Sequence, residues 1–277
     1  MLTISLKKSK MDLTIAEKGE VMNKIFVVYD TDIGIKKKTN QDSMLLKGYS
    51  VNNKDVLLAV ICDGMGGMEK GELASATVVR AFSDWFEKDY MSSNMNVSDE
   101  KVSECWQNIL ENANKKLIAY GKENQLQLGT TVSAVLLDSD GHYLFGHVGD
   151  TRIYKLSETL HQLTEDHTFI AREIKRGNMT IEEAKKDNRR NVLLQCIGVN
   201  EFFEPQYENG RLDSGTALLL CSDGFRHMLS EDEIFDMLNP HKNLSDVQMK
   251  EKLREMIEWN KQRMETDNIS AIYIKLK

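Results

Sequence analysis

Five short stretches of this 277-residue chain place an aspartate beside glycine, amide or hydroxyl residues, in a fixed order. They are Thr39-Asn40-Gln41-Asp42, Cys62-Asp63-Gly64-Met65-Gly66-Gly67, Val148-Gly149-Asp150-Thr151-Arg152, Cys221-Ser222-Asp223-Gly224 and Asp267-Asn268-Ile269. Four of them begin or end an apolar run. Buried strands that each finish at an aspartate bring distant carboxylates to one end of a sheet. Gathered carboxylates repel unless cations lie between them, so the pattern points to hard divalent ions such as Mg2+ or Mn2+. Two such ions about 4 Å apart repel by on the order of 16 kcal/mol at an effective dielectric near 20, which several carboxylates must offset. Asp63, Asp223 and Asp267 are the leading ligands because each sits at a strand boundary. Gly64 lets the backbone come close enough for its carbonyl to join them. A water bridging two such ions becomes a hydroxide near neutral pH, and phosphate ester hydrolysis is the reaction this apparatus suits best. The Lys36-Lys37-Lys38 run, just before Asp42, offers charge for phosphate oxygens.

The elements that must position these residues are legible as apolar runs. Ile25 to Tyr29, Val56 to Cys62, Thr131 to Leu137, Tyr143 to Val148, Arg152 to Leu156, Ala217 to Cys221 and Ile269 to Leu276 read as strands. Asp140-Gly141 reads as a hairpin turn. Helical spacing runs from Glu72 to Tyr90, from Lys101 to about Lys122 behind a Ser98 cap, and from Ser245 to about Met264. Thr180 with Glu183 and Ser230 with Glu233 look like capping boxes. Asp166 to Asn191 is polar and expected to be helical in pieces. Strands and helices come in blocks, not in strict alternation, which favours antiparallel sheets covered by helices. There is no internal repeat and no Pro-rich linker, since only two prolines occur, so residues 23–277 are read as one domain after an extension or edge strand at 1–22.

The bulk numbers set boundaries. A net charge of −7 argues against a general nucleic-acid binder. Cys62, Cys105, Cys196 and Cys221 show no zinc spacing and are expected as reduced thiols. No stretch approaches the roughly 18–20 apolar residues of a membrane span, and Lys7, Lys8 and Lys10 interrupt any secretory leader. The chain is therefore expected to be soluble, cytoplasmic and monomeric.

The ordered set resembles the metal-dependent PP2C (PPM) family of Ser/Thr protein phosphatases in its bacterial form, from about Tyr29 to Lys275. Cys62 to Gly67 is similar to the family's DGMGG element, Leu128 to Thr131 to LGTT, Gly149 to Arg152 to GD[ST]R, and Ser222 to Gly224 to SDG. The resemblance implies an α+β fold, an αββα sandwich of two antiparallel sheets flanked by helices, with two Mn2+ or Mg2+ ions at one end. It implies Asp63 bridging both ions, the Gly64 carbonyl on the second, and Asp223 and Asp267 on the first. Asp150, with Asp223, matches the place of a third, weaker ion, while Asp42 and Gln41 would hold ion-bound waters. Thr164 to Gly198 resembles a mobile flap near substrate. Lys37 stands where the family usually has arginine, a point charge in place of a bidentate fork. Met65 stands where many eukaryotic members have a histidine, which leaves the leaving-group acid unassigned.

The expected activity is hydrolysis of phosphoserine and phosphothreonine in proteins, opposing a Ser/Thr kinase, with that kinase and its substrates as partners. The rival reading, motivated by Lys37, is a phosphatase-like module that binds phosphoproteins with little turnover. His147 is expected to be structural, and His167 is a weaker candidate for reaching substrate.

Overall fold

A computed structural model describes residues 3–5, 14–16, 24–51, 54–66, 70–93, 97–242 and 244–276. Gly67 and most of the stretch 1–22 lie outside the described residues. Among the described residues, the first strands, β1 (Thr3–Ser5) and β2 (Thr14–Ala16), form a two-stranded sheet with each other. Then follow β3 (Ile25–Asp32), β4 (Ser43–Val51), β5 (Lys54–Cys62) and the short β6 (Gly64–Gly66). Helices α1 (Gly71–Trp85) and α2 (Asp99–Asn124) lead to β7 (Leu128–Thr130), β8 (Val132–Asp138), β9 (His142–Val148), β10 (Arg152–Leu156) and β11 (Leu160–Gln162). Two short helices, α3 (Phe169–Lys175) and α4 (Ile181–Ala184), precede β12 (Gln206–Arg211) and β13 (Ala217–Cys221). The chain closes with α5 (Asp223–Arg226), α6 (Glu231–Leu238), α7 (Asp246–Gln262) and β14 (Ile269–Leu276).

Two five-stranded antiparallel sheets result, in the orders β11-β10-β13-β14-β3 and β12-β9-β8-β5-β4. Side-chain alternation along each strand builds three apolar layers. Leu57, Ala59 and Ile61 of β5 meet Leu218 and Leu220 of β13 and Ile272 and Ile274 of β14 between the sheets. The other face of β5, Val56, Leu58 and Val60, packs under Phe82 and Trp106 of α1 and α2. The outer face of the first sheet, with Leu219 and Tyr273, packs under Leu253 and Met256 of α7. This is the expected αββα sandwich. Because both faces of its central strands are covered, β5 reads as a continuous apolar run and not as an alternating one.

The caps expected at Ser98, Thr180 and Ser230 are formed, the last two as full capping boxes. Residues 86–90 continue α1 as a π-helical turn, so the expected helix to Tyr90 changes character in its last turn.

Candidate metal centre and active site

Antiparallel register decides which strand termini coincide. Ser43 lies opposite Cys62, so Asp42 entering β4 and Asp63 leaving β5 share one edge. Cys221 lies opposite both Arg152 and Ala271, which brings Asp150, Asp223 and Asp267 to the same end of the other sheet. Asp63, Asp150, Asp223 and Asp267 together line a cleft of ≈ 820 Å³. Met65, Lys70, Asn191 and Val199 also line it.

Each aspartate is fixed through its neighbours. The Asp63 amide donates to Thr131 Oγ1 at 2.9 Å, and its carbonyl accepts from Thr131 N and Thr130 Oγ1, both at 2.9 Å. Next to it, a Cβ on Gly64 would meet the Gly71 carbonyl oxygen at 2.2 Å and that of Gln41 at 2.5 Å, so only glycine fits. The Gln41 carboxamide, oriented to satisfy both its atoms, donates to the Gly64 carbonyl and accepts from Gly71 N, each at 3.3 Å. Asp42 Oδ2 accepts from Ser270 Oγ at 2.6 Å. Thr31 Oγ1 lies 2.8 Å from that Ser270 hydroxyl and accepts from Asn40 Nδ2 at 2.7 Å, a polar chain that ends on the carboxylate. Asn268 ties the basic loop down: its Oδ1 accepts from Gln41 N at 2.9 Å, and its Nδ2 donates to the carbonyls of Ile33 and Thr39 at 2.9 and 3.2 Å.

The electrostatics are those of an uncompensated acidic pocket. Burial, then the Asp42, Asp223, Asp267 and Asp150 carboxylates, push Asp63 well above the usual carboxylate range. Burial, then Asp223 and Asp267, push Asp42 up to about 7, against the Ser270 hydrogen bond. Asp150 also rises to about 7, through burial and Asp223. The Asp42 Oδ1 and Asp223 Oδ1 atoms are shielded from solvent and have no hydrogen-bond partner. Lys37 Nζ reaches Asp267 Oδ1 at 2.6 Å. Burial opposes the charge of this lysine, but Asp267, Asp63 and Asp223 outweigh burial and raise its pKa.

Hard, oxygen-only donors with two orphaned oxygens fit a divalent cation better than any neutral partner. Among the described residues, no three of these side chains close into a finished ligand set. Asp267 is turned to Lys37.

Three sets of residues near the cleft were given no role from the sequence, although Asn268 and Arg152 stand within its motifs. Ser270 and Asn268 orient Asp42 and Gln41. His227 bridges Asp223 Oδ2 (3.7 Å) and Glu265 Oε2 (3.5 Å), and Glu265 Oε1 in turn accepts from the Asp267 amide at 2.9 Å. Arg152 grips Asp166 with two nitrogens at 2.8 and 2.7 Å, and Arg226 lies beside that pair. Asn268 lies within a motif but its motif position does not reveal that it fixes Gln41, and Arg226 follows Asp223 by three residues; Ser270 and Glu265 carry no sequence signal. His147 is structural as expected. It is fully buried, its Nε2 donates to the Gly149 carbonyl at 3.1 Å, and its Nδ1 pairs with Ser133 Oγ at 2.9 Å. His167 faces inward, where its Nδ1 accepts from Gly149 N at 3.2 Å.

Comparison with known proteins agrees with this geometry. Residues 35–258 match the family model of protein phosphatase 2C. The protein phosphatase PhpP of Streptococcus pneumoniae is 30% identical over 249 residues, 89% of this chain and 95% of that protein. The S. agalactiae serine/threonine phosphatase superposes with a TM-score of 0.79 at 28% identity, covering 91% of this chain and all of that one. The catalytic domain of the serine/threonine protein phosphatase PstP, solved with two manganese ions, superposes at 0.72 with 24% identity over 91% of this chain and 98% of its own. With the sandwich, the shared end of its sheets and these matches in hand, the chain belongs to the protein phosphatase 2C family.

Proposed function

We propose that the chain is a Ser/Thr protein phosphatase that hydrolyses phosphoserine and phosphothreonine at this acidic cleft with two divalent cations, opposing a Ser/Thr kinase. The observation that supports it most is the gathering of Asp42, Asp63, Asp223 and Asp267 around a single ammonium, Lys37. Once ionised, four carboxylates outnumber the one lysine by three charges, which would repel a phosphate dianion. Two divalent ions reverse that sign. Asp63, the Gly64 carbonyl, Asp223 and Asp267 are the groups that would hold them, as the relative solved with two manganese ions encourages one to expect. Bound there, Mn2+ or Mg2+ would supply Lewis-acid stabilisation of the phosphoryl oxygens and an activated water as nucleophile.

The chain's own residues supply orientation. The Lys37 side chain is 36% exposed and at the cleft, so its ammonium can leave Asp267 for a phosphate oxygen when a cation takes that carboxylate. Asp42, held from behind by Ser270, keeps one free oxygen for hydrogen-bonding a reacting water and sits near the pKa at which protons exchange at neutral pH. Gln41 holds the Gly64 carbonyl in place. Thr164 to Gly198 forms the substrate side of the cleft through Asn191, Leu193 and Cys196. No helix among the described residues is long and apolar enough to cross a membrane, and phosphorylated proteins are the proposed substrates.

The test is phosphate release from a phosphothreonine peptide with and without Mn2+, beside Asp63→Asn and Asp267→Asn. Mn2+-dependent release by the wild type and loss in both variants is expected; equal activity in all three rejects the proposal. A binding module with little turnover would instead retain the phosphopeptide tightly at saturating Mn2+ and release no phosphate.

A further inference from the structure

Asp150 stands apart from the other cleft carboxylates in having a buried guanidinium beside it. The Arg226 guanidinium projects from the short helix that begins at Asp223, with its side chain only 12% exposed. Its Nη2 donates to the Asp150 carbonyl at 3.1 Å, and lies 4.0 Å from Asp150 Oδ2 and 3.7 Å from Asp166 Oδ2. One nitrogen thus sits between two carboxylates, the position that a bridging metal ion would need. Asp166 is itself gripped by both nitrogens of the Arg152 fork, and Arg152 Nη1 donates to Tyr154 Oη at 2.8 Å, so this group cannot swing away easily. Two arginines face two aspartates, and the subcluster is neutral. The cluster of Asp42, Asp63, Asp223 and Asp267 has no such guanidinium.

We infer that Arg226 is a built-in counter-cation at Asp150, so that this chain binds two divalent ions and excludes a third from the Asp150 carboxylate. The inference rests on the metal-centre reading above and refines its ion count. The physical reason is direct: a hard cation needs oxygen ligands at roughly 2.0–2.6 Å. A fixed guanidinium already lies against the Asp150 carboxylate, on its Asp166 side, and repels any second positive charge brought to it. An arginine cannot shed its proton to make room. Arg226 therefore acts through Asp150 as a positioning residue and takes no part in the chemistry.

Calorimetric titration with Mn2+ tests this on the full chain. The wild type is expected to take up two ions. Asp150→Asn should also take up two, because Asp150 is not a ligand. Arg226→Gln, which uncovers the carboxylates of Asp150 and Asp166, should take up a third ion, and Arg226→Lys, which keeps the charge, should return the count to two. Three ions in the wild type, falling to two in Asp150→Asn, overturns the inference while leaving the metal centre intact. A folded Arg226→Gln that still binds two also overturns it. If Arg226→Gln does not fold, the Asp150→Asn count decides alone. No ion bound by the wild type would instead remove the metal centre itself, and the inference with it.

Discussion

Two groups of acidic side chains lie at the same end of the sandwich, and their surroundings could hardly differ more. Asp166 would be pushed up by burial, yet the two-pronged Arg152 contact, with Arg226 behind it, holds its carboxyl below the usual range. Beside it, His147, Ser133 and Thr151 form a closed hydrogen-bonded set, with burial first and His167 second pushing His147 down to about 3. Asp63 and Asp42 sit in the same end of the fold with no guanidinium, and burial plus mutual repulsion drive both upward. The first region is a finished ion pair that contributes to stability. The second is an unfinished one that costs stability, as the proposed metal centre would before its cations bind. That contrast separates structural from functional carboxylates better than burial does, since both groups are shielded.

The comparison can be broken most sharply by Asp63→Asn. It should lower Mn2+-dependent phosphate release by roughly 10³-fold, the scale seen when a preorganised electrostatic group is removed. In chelator, its melting temperature should be unchanged or higher, because a repelled carboxylate is gone. Asp166→Asn should do the reverse. It leaves Arg152 without its carboxylate, and breaking such a buried pair costs about 3–5 kcal/mol, readable as a lower urea midpoint. If both variants lose stability alike, the two regions are not different in kind.

A pH series comes next. Asp42 and Asp150 titrate near 7 in the folded chain against an ordinary 3.8. The folded state therefore holds more protons than the unfolded chain between about pH 4 and 7, and metal-free stability should fall as pH rises through that window. His147 gives the opposite slope: the unfolded chain protonates it near 6.5 while the folded chain resists to about 3, so stability falls as pH drops below 6.5. Mn2+ should cancel the first slope and leave the second. At 100 times its dissociation constant one bound ion adds about 2.7 kcal/mol, on the order of 5 °C in a chain this size, at pH 7.5 and far less at pH 5. A Mn2+ shift of equal size at both pH values would contradict this.

The smallest expected effect sharpens the boundary. Ser270→Ala removes the hydroxyl behind Asp42 and touches no proposed ligand. Loss of about 10-fold in activity, with a melting temperature close to wild type, is the scale for a group that orients rather than binds. Wild-type activity would mean that Asp42 needs no such support.

The sequence made much of this visible for physical reasons that differ from place to place. Strands β5, β13 and β14 were legible because burial on both faces forces unbroken apolar runs. The aspartates were legible because each punctuates such a run. Strand β12, Gln206–Arg211, was not, since it pairs on one side only with β9 and carries a mostly solvated polar sequence. Strands β6 and β7 are three residues each, too short for any period to register. Within the site, Lys37 was noticed as part of a charged run, but its contact with Asp267 depends on a loop fixed by Asn268 and on Gly34. That glycine takes φ +76°, and a Cβ there would meet the Asp267 carbonyl oxygen at 2.3 Å, so no other residue fits. Arg226 was invisible as a partner of Asp150, because 76 residues separate them and only sheet register closes the gap.

The most direct measurement is anomalous diffraction at the manganese edge from crystals grown with Mn2+. Two peaks are expected in the cleft, within ligand distance of Asp63 and shared out to Asp223 and Asp267, with none at the Asp150 carboxylate. Clear density for these side chains with no anomalous peak among them would contradict the account.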